Sequence, residues 1–182
     1  MKPPSAFPHS IQVFPDGFLI IDSARFSCAI GKNGVTSRKR EGDGKTPIGT
    51  FALRQLFYRP DRVPNPQKSL KTIELTPNMG WSDDVTDPAY NTLVTLPHAF
   101  GHEVLWREDA RYDYIIPLGY NDDPIVPNEG SAIFFHLATP EQWTTEGCVA
   151  VTKTDFEAIL RMITPDTVLR VYEAYTNLHF FE

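Results

Sequence analysis

The 182-residue sequence has few cysteines and no long apolar run. Cys28 and Cys148 are its only cysteines, too few for the disulfide framework of small secreted domains, although one bridge stays open. No stretch reaches the roughly 18 consecutive apolar residues of a membrane-spanning helix, and "MKPPSAFPHSIQVF" at the start lacks the apolar run of a signal peptide. We therefore expect a soluble chain with no visible export signal.

An excess of positive charge is also missing. The net charge is −6, and no lysine and arginine run is longer than Arg38-Lys39-Arg40. Such a chain repels a phosphate backbone overall, so we expect no nucleic-acid partner. With 41% hydrophobic and 22% charged residues the composition is that of a globular protein, and the length predicts a single domain over 1–182.

Short runs of alternating apolar and polar residues fill most of the chain. Pro15-Asp16-Gly17 separates two of them and predicts a hairpin, because Asp-Gly accepts the positive φ of a tight turn. Other runs are "GTFALRQLFY", "LKTIEL", "NTLVTL", "EVLWR", "YDYIIPLGY" and "SAIFFHLA". The 16 prolines and 11 glycines are spread without a period, as expected for many turns. The pattern predicts a mainly β fold.

One helix is predicted after Cys148. Phe156, Ile159, Leu160 and Ile163 follow helical spacing, and Thr152-x-x-Asp155 is typical of a capped helix start. Pro165 follows the expected end, and "TVLRVYEAY" predicts a closing strand.

Within "HLATPEQWTTEGCVAV", His136 leaves a strand and Cys148 follows Gly147. A cysteine nucleophile needs a neighbouring imidazole or a helix N-terminus to ionise, and this arrangement offers both. Backbone N–H groups at Gly147 and Cys148 are candidate oxyanion donors. On the residues alone, a buried thiol beside a packed strand histidine is the favoured interpretation. Cys28, in the strand-like "RFSCAIG", is interpreted as packing.

Several segments, taken in order, resemble one known family. They are "EGDGKTPIGTF", "WSDDVTDPAYNTLV", "EVLWREDARYDYIIPLGYND", "GSAIFFHLA" and "TEGCVAV". Together they are similar to the YkuD-like L,D-transpeptidase catalytic domain. The resemblance implies a mainly β, β-sandwich fold with one helix after the catalytic cysteine, and a role in peptidoglycan remodelling.

The resemblance also implies residue roles. Cys148 corresponds to the nucleophile, His136 to the upstream histidine, and Thr145 and Gly147 to motif positions. Glu146 stands where the usual motif has histidine. Further candidates for substrate contacts are Tyr120 and Asn121 at a strand end and Trp143 in the loop before Thr145, together with Thr145 and Glu146 themselves.

Two other departures concern substrate binding. Ala150 stands where the usual motif has arginine or asparagine, and the loop from His136 to Thr145 is short. Because Ala150 lacks a hydrogen-bond donor, another group must hold the substrate, or the crosslink type differs.

The family chemistry implies a thioester on Cys148 and no metal or other cofactor. The implied partners are diaminopimelate-containing stem peptides, with carbapenem-type inhibitors, a monomer and an envelope or periplasmic location as further expectations. Water as acceptor would make the site an L,D-carboxypeptidase, and a non-catalytic wall-binding module stays open as an alternative. We also expect a backbone carbonyl near Leu137 or Ala138 to orient the imidazole.

Two competing motifs are weaker. Gly44-Lys45-Thr46 is similar to the end of a phosphate-binding loop, but position 39, where the first glycine belongs, is lysine. His98 and His102 are four residues apart and suggest zinc ligands with Glu146 and Cys148, but the neighbouring proline and glycine disfavour a helix that would align them.

Overall fold

The computed structural model describes residues 9–66, 70–141 and 143–174, and short strands make up most of its regular structure. Within these ranges α1 (Lys153–Leu160) is an α-helix and η1 (Ala110–Tyr112) a single turn of 3-10 helix. The strands are β1 (Ser10–Phe14), β2 (Phe18–Ile21), β3 (Ala24–Ser27), β4 (Val35–Thr36), β5 (Thr46–Pro47), β6 (Gly49–Ala52), β7 (Leu56–Tyr58), β8 (Thr72–Glu74), β9 (Met79–Ser82), β10 (Leu93–Thr95), β11 (His102–Val104), β12 (Tyr114–Pro117), β13 (Phe134–Leu137), β14 (Val149–Val151) and β15 (Val168–Val171). The predicted mainly β fold is confirmed.

The first layer is a five-stranded sheet with the order β3-β2-β1-β15-β6. Strands β1 and β2 form the hairpin predicted at Pro15-Asp16-Gly17, where Gly17 has a φ of +81° and donates its N–H to the Phe14 carbonyl at 3.2 Å. The closing strand β15 is parallel to β1, so the first and last described strands meet inside this sheet.

The second layer is a five-stranded sheet with the order β14-β13-β12-β7-β8. Strand β13 is antiparallel to β12 and parallel to β14. All residues of β12, β13 and β14 are buried, as expected for strands that are covered on both faces.

Alternation along the strands builds two apolar clusters. Val13 and Leu169 from the first sheet and Phe135 from the second belong to the cluster that the two layers share. This arrangement is a β-sandwich. Phe134 and Cys148 belong to a smaller cluster on the opposite face of the second sheet, against which Met79 and Trp81 of β9 also pack. The three-stranded sheet β10-β9-β11 therefore covers the face on which Cys148 lies.

The helix begins as predicted. The Thr152 side chain accepts a hydrogen bond from the Asp155 N–H at 3.2 Å and donates to the Asp155 carboxylate at 2.7 Å. Phe156 and Ile159 are fully buried against the sandwich core, whereas Ile163 is buried beyond the helix end. Among the described residues no helix has the length and apolar character to cross a membrane.

Candidate active site

Cys148 lies immediately before β14 and beside β13. Phe135 is paired with Val149 and His136 with Ala150, so the strand parity sends His136 and Cys148 to the same face of the sheet. The Sγ of Cys148 accepts a hydrogen bond from the Phe134 N–H at 3.3 Å. Its S–H donates to the Ala132 carbonyl at 3.2 Å. The thiol is thus held by backbone groups at the start of the histidine strand.

The His136 ring has a defined tautomer. Its Nδ1 lies 2.9 Å from the Leu137 carbonyl oxygen, which can only accept, so Nδ1 carries the proton and the Nε2 lone pair is available. This is the backbone carbonyl expected from the loop sequence. The Tyr112 ring packs edge-on against the imidazole, with 5.2 Å between the ring centroids. The base is therefore oriented by a backbone carbonyl and an aromatic ring.

A cavity of about 500 Å³ is lined by both His136 and Cys148. It lies between the second sheet and the segments that carry β11 and η1. The lining residues are Lys39, Glu41, Gly42, Asp83, His102, Glu103, Val104, Arg107, Arg111, Tyr112, Ser131, Ala132, Ile133, His136, Thr144, Thr145, Glu146 and Cys148. The thiol, the imidazole and a set of charged side chains share one space that is large enough for part of a peptide.

Burial keeps both reactive groups uncharged at neutral pH. Burial, followed by the negative charge of Glu103, raises the pKa of the Cys148 thiol to about 12. The Phe134 N–H and the positive charges of Lys39 and Arg111 act in the opposite direction but are outweighed. Burial likewise lowers the pKa of His136 to about 4, despite the hydrogen bond to Leu137. The resting pair is a thiol and a neutral imidazole, not an ion pair.

The helix does not assist the thiol as the sequence suggested. Strand β14 separates Cys148 from α1, which begins only at Lys153. Cys148 therefore does not lie at the helix N-terminus, and the dipole effect falls off within one turn. Its charge environment comes from the cavity side chains instead.

Thr145 and Gly147 build the turn before the thiol. The Thr145 hydroxyl donates to the Cys148 carbonyl at 2.7 Å and accepts from the Gly147 N–H at 3.2 Å. Gly147 has a φ of +139°, and a Cβ there would lie 2.8 Å from the Lys45 carbonyl oxygen, so only glycine fits. Because its N–H is already bound, an oxyanion role for Gly147 stays a prediction that requires this hydrogen bond to be exchanged.

Glu146 and Trp143, two of the predicted contact residues, differ in their position relative to the thiol cavity. Glu146 lines the thiol cavity, and its carboxylate is 2.7 Å from Lys32 Nζ at an exposed edge. Trp143 is 41% exposed and is absent from the residues that line the cavity. Its neighbour Thr144 lines the wall there instead.

Tyr120 and Asn121 do not reach the thiol cavity. Tyr120 lines a neighbouring cavity of about 260 Å³, and its hydroxyl donates to the Glu129 carbonyl at 2.6 Å. The Asn121 amide binds the carbonyls of Val126 and Gly130 at 2.9 and 2.8 Å and thereby closes its own loop. Their side chains turn back onto the 121–130 loop, and a role in substrate contacts stays a prediction.

Ala150 and the two histidines of the zinc hypothesis are already hydrogen-bonded within the protein. Ala150 is buried and exchanges two backbone hydrogen bonds with Ala29, at 2.7 and 2.9 Å. His98 Nε2 is 2.6 Å from Asp87, whereas His102 Nδ1 is 2.7 Å from the Phe100 carbonyl oxygen. Across residues 9–66, 70–141 and 143–174 no group of three or more histidine, cysteine, aspartate or glutamate side chains is arranged to hold a metal ion.

Sequence reasoning missed most of the charged cavity wall. Lys39 is almost fully buried, with its ammonium 2.5 Å from Asp43 and 3.0 Å from the Arg40 carbonyl oxygen. Glu103 accepts a hydrogen bond from the Tyr112 hydroxyl, and burial raises its pKa. The alternating charges at 107, 109 and 111, in "WREDARYDY", were a usable signal, because such a spacing is typical of an ion-paired loop.

The chain is similar to a known protein family over most of its length. The family model described as the L,D-transpeptidase catalytic domain, YkuD, matches residues 11–172. No curated protein matches the sequence. Among solved structures, the helical cell shape determining protein Pgp2 from Campylobacter jejuni is 13% identical, with a TM-score of 0.49. The match covers 92% of this chain and 48% of that one, so this chain spans about half the length of Pgp2.

The family match includes all five strands of the second sheet, the turn at Gly147 and the cavity that Cys148 and His136 share. The chain belongs to the L,D-transpeptidase catalytic domain family, YkuD.

Proposed function

We propose that the chain is a peptidoglycan L,D-transpeptidase that joins stem peptides through a thioester on Cys148. The observation that carries the proposal is the shared cavity, in which a thiol and an imidazole with an available Nε2 face one space. Family membership supports peptidoglycan stem peptides as the substrate class. We further propose a monomer that acts in the cell envelope, where such substrates are found.

In the first half-reaction the Cys148 S–H proton passes to His136 Nε2. The sulfur then attacks the carbonyl carbon of an L-centre that precedes a D-residue in the donor stem. A C–S bond forms and the C–N bond breaks. The imidazolium returns its proton to the leaving amine, and a thioester remains on Cys148.

In the second half-reaction an acceptor amine, on diaminopimelate of another stem, attacks the thioester. His136 removes a proton from this amine as the new C–N bond forms, and the C–S bond breaks. The thiolate that leaves recovers a proton from the imidazolium, so the site returns to its resting state. One amide replaces another, and no nucleotide is consumed.

The groups around the thiol offset part of the cost that burial imposes on its ionisation. The Phe134 N–H and the charges of Lys39 and Arg111 stabilise negative charge on sulfur, even though burial keeps the free thiol protonated. The low pKa of His136 makes its imidazolium a strong acid, which suits protonation of a leaving amine. Both effects act in a site from which the substrate displaces water.

The direct test incubates the protein with defined tetrapeptide muropeptides and identifies the products by mass spectrometry. Crosslinked dimers are expected with the wild type and with Cys28→Ala, the matched control, because Cys28 is buried in the core outside the cavity. Cys148→Ala should give none. Shortened stems without dimers would identify an L,D-carboxypeptidase instead. Unchanged muropeptides with every variant would favour a wall-binding module.

A carbapenem tests the nucleophile without a natural substrate. Its strained amide carbonyl should acylate Cys148 and increase the intact mass by one inhibitor. Cys28→Ala should be labelled like the wild type. Absence of the adduct after long incubation would contradict the proposed role of Cys148.

A further inference from the structure

Two arginines line the thiol cavity and share one carboxylate. Arg107 donates to Asp109 through Nε at 2.9 Å and Nη2 at 2.7 Å, and Arg111 donates through Nε at 3.0 Å. The two side chains are 26% and 23% exposed. Within the described part of the chain, Nη1 of each arginine has no hydrogen-bond acceptor. Asp109 therefore fixes the position of both guanidinium groups, and their Nη1 donors are available to a ligand.

The remaining cation close to the thiol is already engaged. The Lys39 side chain is 3% exposed and is bound by Asp43 and by the Arg40 carbonyl. Ala150 supplies no donor at all, because only its backbone is polar and that backbone is paired with Ala29. A substrate carboxylate in this cavity thus finds its strongest partners at the arginines, whose planar guanidinium groups match a carboxylate through paired hydrogen bonds.

Acidic side chains face the same space. Glu103 is bound by the Tyr112 hydroxyl beside the arginines, while Glu41, Asp83 and Glu146 line other parts of the wall. A simple anion would be repelled by this surface. A ligand that carries both carboxylates and an ammonium group suits it better, and a stem peptide with diaminopimelate has this character.

We propose that Arg107 and Arg111 bind a free carboxylate of the donor stem peptide and thereby select the stems that reach Cys148. The identity of this ligand rests on the proposed function. Two carboxylates have the required chemistry: the one on the terminal D-residue that leaves, and the one on the D-centre of diaminopimelate. The arginine pair takes over the role of the donor that Ala150 lacks.

The test measures binding by calorimetry in a Cys148→Ala background, which prevents turnover. The ligands are a diaminopimelate tetrapeptide with a free C-terminus, the same peptide with a C-terminal amide, and a tetrapeptide with lysine in place of diaminopimelate. Arg107→Gln and Arg111→Gln should each weaken the first ligand by about 10- to 100-fold. The ligand that lacks the bound carboxylate should bind weakly to the protein with both arginines, and its affinity should hardly change with either substitution.

Two further variants separate recognition from structure. Arg54→Gln is the matched control, because Arg54 is paired with Asp122 beside the neighbouring cavity and should leave all three affinities unchanged. Arg111→Lys keeps the charge but loses the planar fork, so its affinity should lie between those of Arg111 and Arg111→Gln. This variant also keeps the test valid if the glutamine variants do not fold.

Equal weakening of all three ligands, or no weakening, would overturn the proposal. A separate experiment uses the protein with intact Cys148 and detects the thioester by mass measurement. Arginine-dependent binding without a thioester would contradict the proposed function and leave the carboxylate site standing. A thioester combined with affinities that do not depend on the arginines would contradict the carboxylate site alone.

Discussion

The buried side-chain amide of Asn91 links β9 to the wall of the thiol cavity. Asn91 is 5% exposed, and its Oδ1 accepts hydrogen bonds from Trp81 Nε1 and the Ala132 N–H, both at 3.0 Å. Its Nδ2 donates to the carbonyls of Tyr120 and Asn121 at 3.2 and 2.8 Å. Ala132, whose carbonyl accepts the Cys148 S–H, has a φ of +51°. Asn91 therefore stabilises a strained residue that holds the thiol.

We predict that Asn91→Gly destabilises the fold by about 2–6 kcal/mol, because each partly buried N–H left without an acceptor costs about 1–3 kcal/mol and two are left. Glycine is chosen because Asn91 itself has a φ of +57°, which alanine would oppose. Urea unfolding gives the free energy. Asn78→Ala, at an exposed site, is the control and should stay within about 0.5–1 kcal/mol of the wild type.

The same variant should alter the thiol. Without Asn91, Ala132 can relax from its positive φ, so its carbonyl leaves Sγ and iodoacetamide should alkylate Cys148 faster than in the wild type. Cys28, read in the same peptide map, should stay slow because it is buried elsewhere in the core. A loss of stability below about 1 kcal/mol, with unchanged alkylation of Cys148, would refute this account of Asn91.

Three further predictions concern titration and the helix. The pKa of His136 is lowered from 6.5 to about 4, so its contribution to stability is present above pH 6.5 and is lost as the pH falls toward 4. In urea unfolding across this window, the free energy of unfolding of His136→Gln should fall by on the order of 3 kcal/mol less than that of the wild type or of the control His102→Gln. Equal losses in all three proteins would contradict this prediction. The thiolate absorbance of Cys148, taken as a difference from Cys148→Ala, should be absent at pH 7, and Glu103→Gln should shift its appearance to lower pH; an unmoved titration would exclude Glu103 as a cause. Thr152→Ala should destabilise the fold by about 1 kcal/mol in thermal or urea unfolding, whereas an unchanged midpoint would mean that the cap contributes nothing.

Local patterns predicted the parts of the fold that depend on neighbours in sequence. The Pro15-Asp16-Gly17 hairpin and the Thr152 cap follow from turn and capping chemistry within a few residues, and both are present. The register that sets His136 beside Ala150 depends on how β13 and β14 pair, which no short pattern specifies. Even so, the sequence predicted that His136 and Cys148 form a pair, and both side chains line one cavity.

The charged wall could not be predicted in the same way. Lys39 and Arg107 come from loops far apart in the sequence, and only the packing of the sheets brings them to one cavity. Tyr120 and Asn121 follow a strand of the correct sheet, yet their side chains serve the 121–130 loop. A strand-end position thus predicts nearness to a site but not the direction of a side chain.

The pKa values depend on burial, which the sequence alone did not reveal. The histidine was expected to help the thiol ionise, but desolvation keeps both groups neutral in the free protein. We therefore expect the Cys148 proton to pass to His136 only in the complex with substrate. The helix N-terminus contributes nothing at Cys148 because β14 intervenes.

The most direct measurement is the intact mass of the protein during incubation with a diaminopimelate tetrapeptide, followed by peptide mapping. We expect a transient mass increase equal to the mass of the peptide minus the mass of the free D-amino acid that leaves, located on Cys148 and present in Cys28→Ala. His136→Gln should acylate far more slowly. An adduct on another residue, or rapid acylation that does not depend on His136, would contradict acyl transfer by this thiol and imidazole.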